Sequence, residues 1–106
     1  MKIVTVAEFA CDYYDLYRKI PLQMHRRSDP KRRNKEYYKD VVCAFDIETT
    51  RLDNDQSIMY VWQWQYGNVC TIMGRTWDEF LQLVNILSRP LCDGERLVCF
   101  VHNLSF

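Results

Sequence analysis

The stretch Val41-Val42-Cys43-Ala44-Phe45-Asp46-Ile47-Glu48-Thr49-Thr50 decides how this chain is read. Its first five residues are all apolar. A short apolar run rich in β-branched side chains, here 41–47, argues for a buried strand. The run then closes on two carboxylates one residue apart. Side chains alternate along a strand, so Asp46 and Glu48 share a face and Ile47 takes the other. Two carboxylates side by side repel, and near a buried strand each loses hydration. A hard divalent cation, Mg²⁺ or Mn²⁺, relieves that cost. A strand that merely ends in solvated carboxylates carries the same triplet, so the company it keeps decides between the two.

Downstream, residues 51–56 (RLDNDQ) read as a polar turn and 57–66 (SIMYVWQWQY) as a second strand. In that strand Trp62, Trp64 and Tyr66 fall on one parity and Val61, Gln63 and Gln65 on the other. Gly67-Asn68 suits a tight hairpin turn into a third strand over 69–73. A helix over 77–88 follows. Thr76 and Glu79 form its capping box, and Trp77, Phe80, Leu81, Leu83, Val84 and Leu87 are expected on its inner face. Pro90 and Gly94 mark a loop before a fourth strand, 97–101 (LVCFV), apolar enough for a parallel central position. The order is β-β-β-α-β, an α/β fold with a mixed sheet. A fourth strand parallel to the first brings its carboxyl end beside Asp46. Ligands of such sheets bind outside the carboxyl ends of the strands. His102, Asn103 and Phe106 follow that end and offer hydrogen bonds and an aromatic face. An ordinary strand-to-helix turn with Asn103 as helix cap is the plainer alternative.

Upstream, Val6, Phe9, Ala10, Tyr13, Leu16, Tyr17 and Ile20 mark one face of an amphipathic helix over 5–20. Thr5 and Glu8 cap it, and Pro21 stops it. Residues 22–39 show no periodicity and read as a linker or exposed arm. The division is thus 1–40, helix plus basic arm, and 41–106, the sheet-forming part.

The formal net charge is zero, from 14 basic and 14 acidic residues, but it is unevenly laid out. From His25 to Lys39 there are seven basic residues (Arg26, Arg27, Lys31, Arg32, Arg33, Lys35, Lys39) against Asp29 and Glu36. From Asp40 onward nine acidic residues face four arginines. The stripe Arg26, Arg27, Lys31, Arg32, Arg33 and Lys35 can track a nucleic-acid backbone, or simply be a solvated linker. Hydrophobic residues at 48% exclude a disordered chain. The longest apolar run is far too short to span a membrane, and no secretory signal opens the chain. Five scattered cysteines without a Cys-x-x-Cys fit reduced thiols and a cytoplasmic setting.

The segments Val41–Thr50 and His102-Asn103-Leu104-Ser105-Phe106 together resemble the first and second exonuclease motifs of family B DNA polymerases, most closely the protein-primed polymerases of phages and linear plasmids. The spacing between them and the Trp77-Asp78-Glu79-Phe80 helix start agree with that pattern. The resemblance covers 41–106. It implies a ribonuclease H-like 3′–5′ exonuclease fold that proofreads in DNA replication, with two metal ions (Mg²⁺ or Mn²⁺) at the scissile phosphate. Asp46 and Glu48 take the catalytic, metal-ligand positions. Thr49, His102, Asn103 and Phe106 take the positions that hold a single-stranded DNA 3′ end. Primer-template DNA and a terminal protein primer are the implied partners, in the cytoplasm of a host cell, with no membrane.

The family's second motif carries a metal-binding Asp directly after the Phe, and a third motif adds a Tyr and another Asp. This sequence stops at Phe106. The expectation is therefore the N-terminal part of a longer polymerase, with little or no catalysis of its own. A stand-alone exonuclease of the same four-carboxylate type and a non-catalytic nucleic-acid-binding module are the competing readings.

Overall fold

A computed structural model describes residues 2–24, 37–51 and 57–101. Its hub is β3, Tyr37–Arg51, which pairs with three other strands. Antiparallel to β3 run β2 (Leu22–Met24) along its first residues and β4 (Ser57–Tyr66) along its second half. On the opposite side β6 (Glu95–Val101) runs parallel to it. The sheet continues from β4 to antiparallel β5 (Cys70–Gly74), and from β5 to parallel β1 (Lys2–Val4). Three helices complete an α/β domain with a mixed six-stranded sheet: α1 (Val6–Asp12), α2 (Tyr14–Arg18) and α3 (Trp77–Ser88).

Alternation sets which face is buried. Cys43, Phe45 and Ile47 of β3 pair with Tyr66, Trp64 and Trp62 of β4, and all six are buried. They form one core with Cys70 and Ile72 of β5, Phe9 of α1, Tyr17 of α2, and Leu83, Ile86 and Leu87 of α3. Phe80 of α3 sits over Phe45 at 4.8 Å between ring centroids and edge-on to Trp62 at 5.7 Å. Phe9 and Tyr17 both meet the Tyr66 ring edge-on, at 5.4 and 5.9 Å. The Tyr17 hydroxyl donates to the Leu87 carbonyl at 2.6 Å, so α2 is tied to the end of α3. A row of neighbours crosses this face: Cys99, Cys43, Tyr66 and Cys70, each beside the next.

The sequence expectations meet several corrections. The single helix over 5–20 is two: Tyr13 leaves helical geometry (φ −121°), although the apolar stripe continues across it. The expected capping box forms in full at Thr5 and Glu8; at α3 Thr76 accepts from Glu79 N–H, but the Glu79 carboxylate takes the Arg75 N–H and the Thr76 hydroxyl in place of the Thr76 N–H. The inner face of α3 is Phe80, Leu83, Ile86 and Leu87, whereas Trp77, Leu81 and Val84 are exposed. Six apolar positions wrap wider than one stripe, and the sheet selects which of them it covers. The third strand begins at Cys70, because Gly67 (φ +50°) opens a three-residue turn closed by Val69 N–H to Tyr66 carbonyl. The fourth strand starts earlier than expected, at Glu95.

The largest change is upstream. Part of the expected arm, Leu22–Met24 and Tyr37–Lys39, is a pair of strands, and the boundary drawn at residue 40 falls inside β3. Lys39, counted with the basic stripe, is buried. Its ammonium donates to the carbonyls of Tyr17, Arg18 and Ile20 at 3.0, 3.0 and 3.2 Å and lies over the Tyr17 ring. It therefore caps the carboxyl end of α2 from a neighbouring strand. Burial pushes its ionisation below the ordinary lysine value, while Glu95 pulls the other way. Replacing Lys39 by Met strands three partly buried carbonyls and is expected to cost about 1–3 kcal/mol. Urea unfolding followed by circular dichroism measures this, and an unchanged midpoint would show that water serves those carbonyls equally well.

Candidate active site

The site is built at the carboxyl end of β3. Ile47 is buried in the core, which turns Asp46 and Glu48 to the opposite, outer face. Asp46 is half-buried and Glu48 exposed. Asp46 Oδ1 accepts the backbone N–H of Ile47 at 2.9 Å, so the carboxylate is oriented by its own strand. Between Glu48 and Thr49 the pairing with β4 slips: Glu48 faces Val61, Thr49 faces Met59. Such a bulge re-aims the side chains beyond it. Thr49 is exposed there.

The parallel strand arrives where the sequence reading places it. Val42, Cys43, Ala44 and Phe45 lie beside Val98, Cys99, Phe100 and Val101. The carboxyl ends of β3 and β6 are thus level, and Val101 stands beside the residue preceding Asp46. His102, Asn103 and Phe106 follow in sequence but lie outside the described residues. So do Arg26, Arg27, Lys31, Arg32, Arg33 and Lys35. The two ends of the basic segment are described: Met24 pairs with Tyr37. That pair is at the far end of β3 from Asp46, nine residues away, or roughly 30 Å along the strand.

On the outer face, Asp46 faces Gln63, Ala44 faces Gln65 and Glu48 faces Val61 across the β3–β4 pair. Val42, Ala44, Gln65 and Phe100 line a shallow groove along this face. The Gln65 amide is committed to the turn, donating to the Gly67 carbonyl at 3.2 Å. Sequence alternation puts Gln63 on this face but contains no signal of the register that sets it opposite Asp46.

The donor chemistry fits a hard divalent cation in part. Asp46 and Glu48 supply anionic oxygens on one face, and Mg²⁺ is commonly held by one or two carboxylates with the remaining positions taken by water and phosphate oxygens. Among the described residues no three His, Cys, Asp or Glu side chains form a closed metal cage. Among them, too, no helix is long and apolar enough to cross a membrane. No family model, curated protein or solved structure matches this chain.

Proposed function

We propose that this chain forms part of a proofreading 3′–5′ exonuclease domain of ribonuclease H-like type, of the kind found in family B DNA polymerases. Its substrate is the single-stranded 3′ end of DNA, and Mg²⁺ or Mn²⁺ is its metal. The observation that supports this reading is the pair Asp46 and Glu48, set on one face at the carboxyl end of β3, level with the end of parallel β6. The residues that resemble the second motif follow β6 directly.

In this reading Asp46 and Glu48 hold the cation, and the Ile47 N–H keeps Asp46 oriented for it. Bound metal supplies charge neutralisation at the phosphate and a more acidic water. Thr49, just past the bulge, reaches the sugar-phosphate of the terminal nucleotide. His102, Asn103 and Phe106 hold the unpaired end by hydrogen bonds and stacking. With two carboxylates as its metal ligands, the 106-residue chain binds metal and strand but turns over slowly, if at all.

The test is Mn²⁺ titration with a fluorescent single-stranded oligonucleotide. Mn²⁺ is expected to tighten binding, and Asp46→Ala to abolish that dependence while leaving the thermal midpoint in EDTA within a few degrees. Strand binding indifferent to Mn²⁺ and to Asp46→Ala would favour a non-catalytic binding module instead. Rapid Asp46-dependent degradation from the 3′ end would refute the expectation of slow turnover.

A further inference from the structure

The core takes Phe80, Leu83, Ile86 and Leu87 of α3 and leaves two rows of side chains on the outward side of the helix. One row is apolar. Trp77, Leu81 and Val84 are 48%, 61% and 36% exposed, and Ser88 completes the i, i+4, i+7, i+11 spacing. The other row is polar: Asp78, Gln82, Asn85 and Arg89, at the same spacing and all exposed. At about 100° per residue the two rows lie side by side. Arg89 gives its Nε to the Asn85 side chain at 3.2 Å, which lays the guanidinium along the polar row. Among the described residues neither Asp78 nor Arg89 has an ion-pair partner.

These rows are complementary to themselves when one helix is turned end for end. The apolar row then sets Trp77 against Ser88 and Leu81 against Val84. The polar row sets Asp78 against Arg89 and Gln82 against Asn85. Both matches share one centre, near residue 83, as a twofold axis across two antiparallel helices requires. That rotation carries apolar row onto apolar row and polar row onto polar row. The Ser88 hydroxyl is turned back to the Val84 carbonyl at 2.7 Å. A shallow depression lined by Leu81, Val84, Asn85, Ser88 and Arg89 lies where the second copy's Trp77 arrives. A parallel pair would instead set Asp78 against Asp78 and Arg89 against Arg89.

We propose that the outward face of α3 is a self-association surface: two copies of the chain pair through antiparallel α3 helices, with Asp78 of each against Arg89 of the other. The helix has 12 residues and is therefore about 18 Å long. A contact of that length falls below the roughly 1,000 Å² of a stable interface, so the dimer is weak and reversible. Its twofold symmetry closes it at two copies.

Sedimentation velocity over a concentration series tests this. The unsubstituted chain is expected to pass from monomer to dimer with a Kd on the order of 100 µM. Leu81→Glu is expected to remain monomeric with an unchanged circular dichroism spectrum, since Leu81 is outside the core. Asp78→Arg and Arg89→Asp each put like charges together and are expected to weaken self-association about five- to tenfold. Mixed with each other, the two variants regain both opposite-charge contacts and are expected to associate as the unsubstituted chain does. A chain that stays monomeric at about 500 µM would overturn the proposal. So would a mixture that associates no better than either variant alone. Association that survives Leu81→Glu but is lost in Phe100→Lys would place the contact on β6 and overturn it as well.

Discussion

Trp62→Ala is expected to lower the thermal midpoint by roughly 15–30 °C, enough to leave the chain largely unfolded near body temperature. Large-to-small changes at a buried tryptophan cost about 3–5 kcal/mol. A chain of this size has roughly 5–15 kcal/mol in total, and each kcal/mol moves the midpoint by about 4–8 °C. Trp62 sits at the upper end because three separate contacts converge on it. Its ring is fully buried and meets Phe80 edge-on at 5.7 Å. Its Nε1 donates to the Thr76 carbonyl at 2.8 Å, at the residue that caps α3. Its six-membered edge fills the space over Gly74, where any Cβ would collide with the indole. Loss of the ring therefore leaves a cavity, leaves the Thr76 carbonyl with only the Phe80 N–H, and removes the side-chain packing that joins β4 to Gly74 and to α3. Circular dichroism melting checks the result. A midpoint within about 5 °C of the unsubstituted chain would show that the helix–sheet interface is held elsewhere.

Alkaline unfolding is the second large effect. Burial pushes the Cys43 thiol up to about 11, partly countered by the Trp64 indole N–H, which otherwise makes no hydrogen bond of normal geometry. Burial likewise pushes the Tyr66 hydroxyl up to about 12 and raises Tyr17, Cys70 and Cys99. The unfolded chain releases these protons near 9.0 for cysteine and 10.0 for tyrosine. Above pH 9 the unfolded state thus holds fewer protons than the folded one, and stability falls as the pH climbs. For Cys43 the loss grows from pH 9 and is complete a little above 11, on the order of 2 kcal/mol. The tyrosines extend the loss to higher pH. Lys39 opposes it, because its lowered value favours the folded state as pH rises towards 10.5; five groups against one set the net direction. Urea midpoints at pH 7, 9 and 10.5 should decline, and Cys43→Ala should decline less steeply. Parallel declines in the two proteins would remove Cys43 as a cause.

The parts of this architecture legible in the sequence are those whose signals are local. The run 41–47 reads as a strand because it is a short apolar stretch rich in β-branched side chains, and Asp46 and Glu48 read as a pair because alternation is a property of the backbone. The aromatic parity of Trp62, Trp64 and Tyr66 and the two threonine caps are equally local. What escapes is set by partners distant in sequence. Lys39 looks like one more member of a basic stripe; only the folded chain brings the carbonyls of Tyr17, Arg18 and Ile20 to it. Leu22–Met24 and Lys2–Val4 are too short to show periodicity, and each exists as a strand because another strand lies beside it. Tyr13 ends a helix without disturbing the apolar stripe that announces one. At the site, the face shared by Asp46 and Glu48 is readable, but the residue that confronts Asp46 depends on the register between two strands. No short-range signal encodes that register.

β6 has a consequence of another kind. Among the described residues it pairs along one side only, with β3, and its outer end carries exposed Phe100 and Val101. Glu95 and Arg96 put charge at its start, but among the described residues the stretch Leu97–Val101 has an unpaired side with neither the charge nor the proline that usually blunts a sheet margin. A strand from another molecule can add there and present the same margin again. The colloidal behaviour of the chain in concentrated solution therefore rests on seven residues at one side of the sheet, and a lysine introduced at the Val98 or Phe100 position would act as a gatekeeper against that growth.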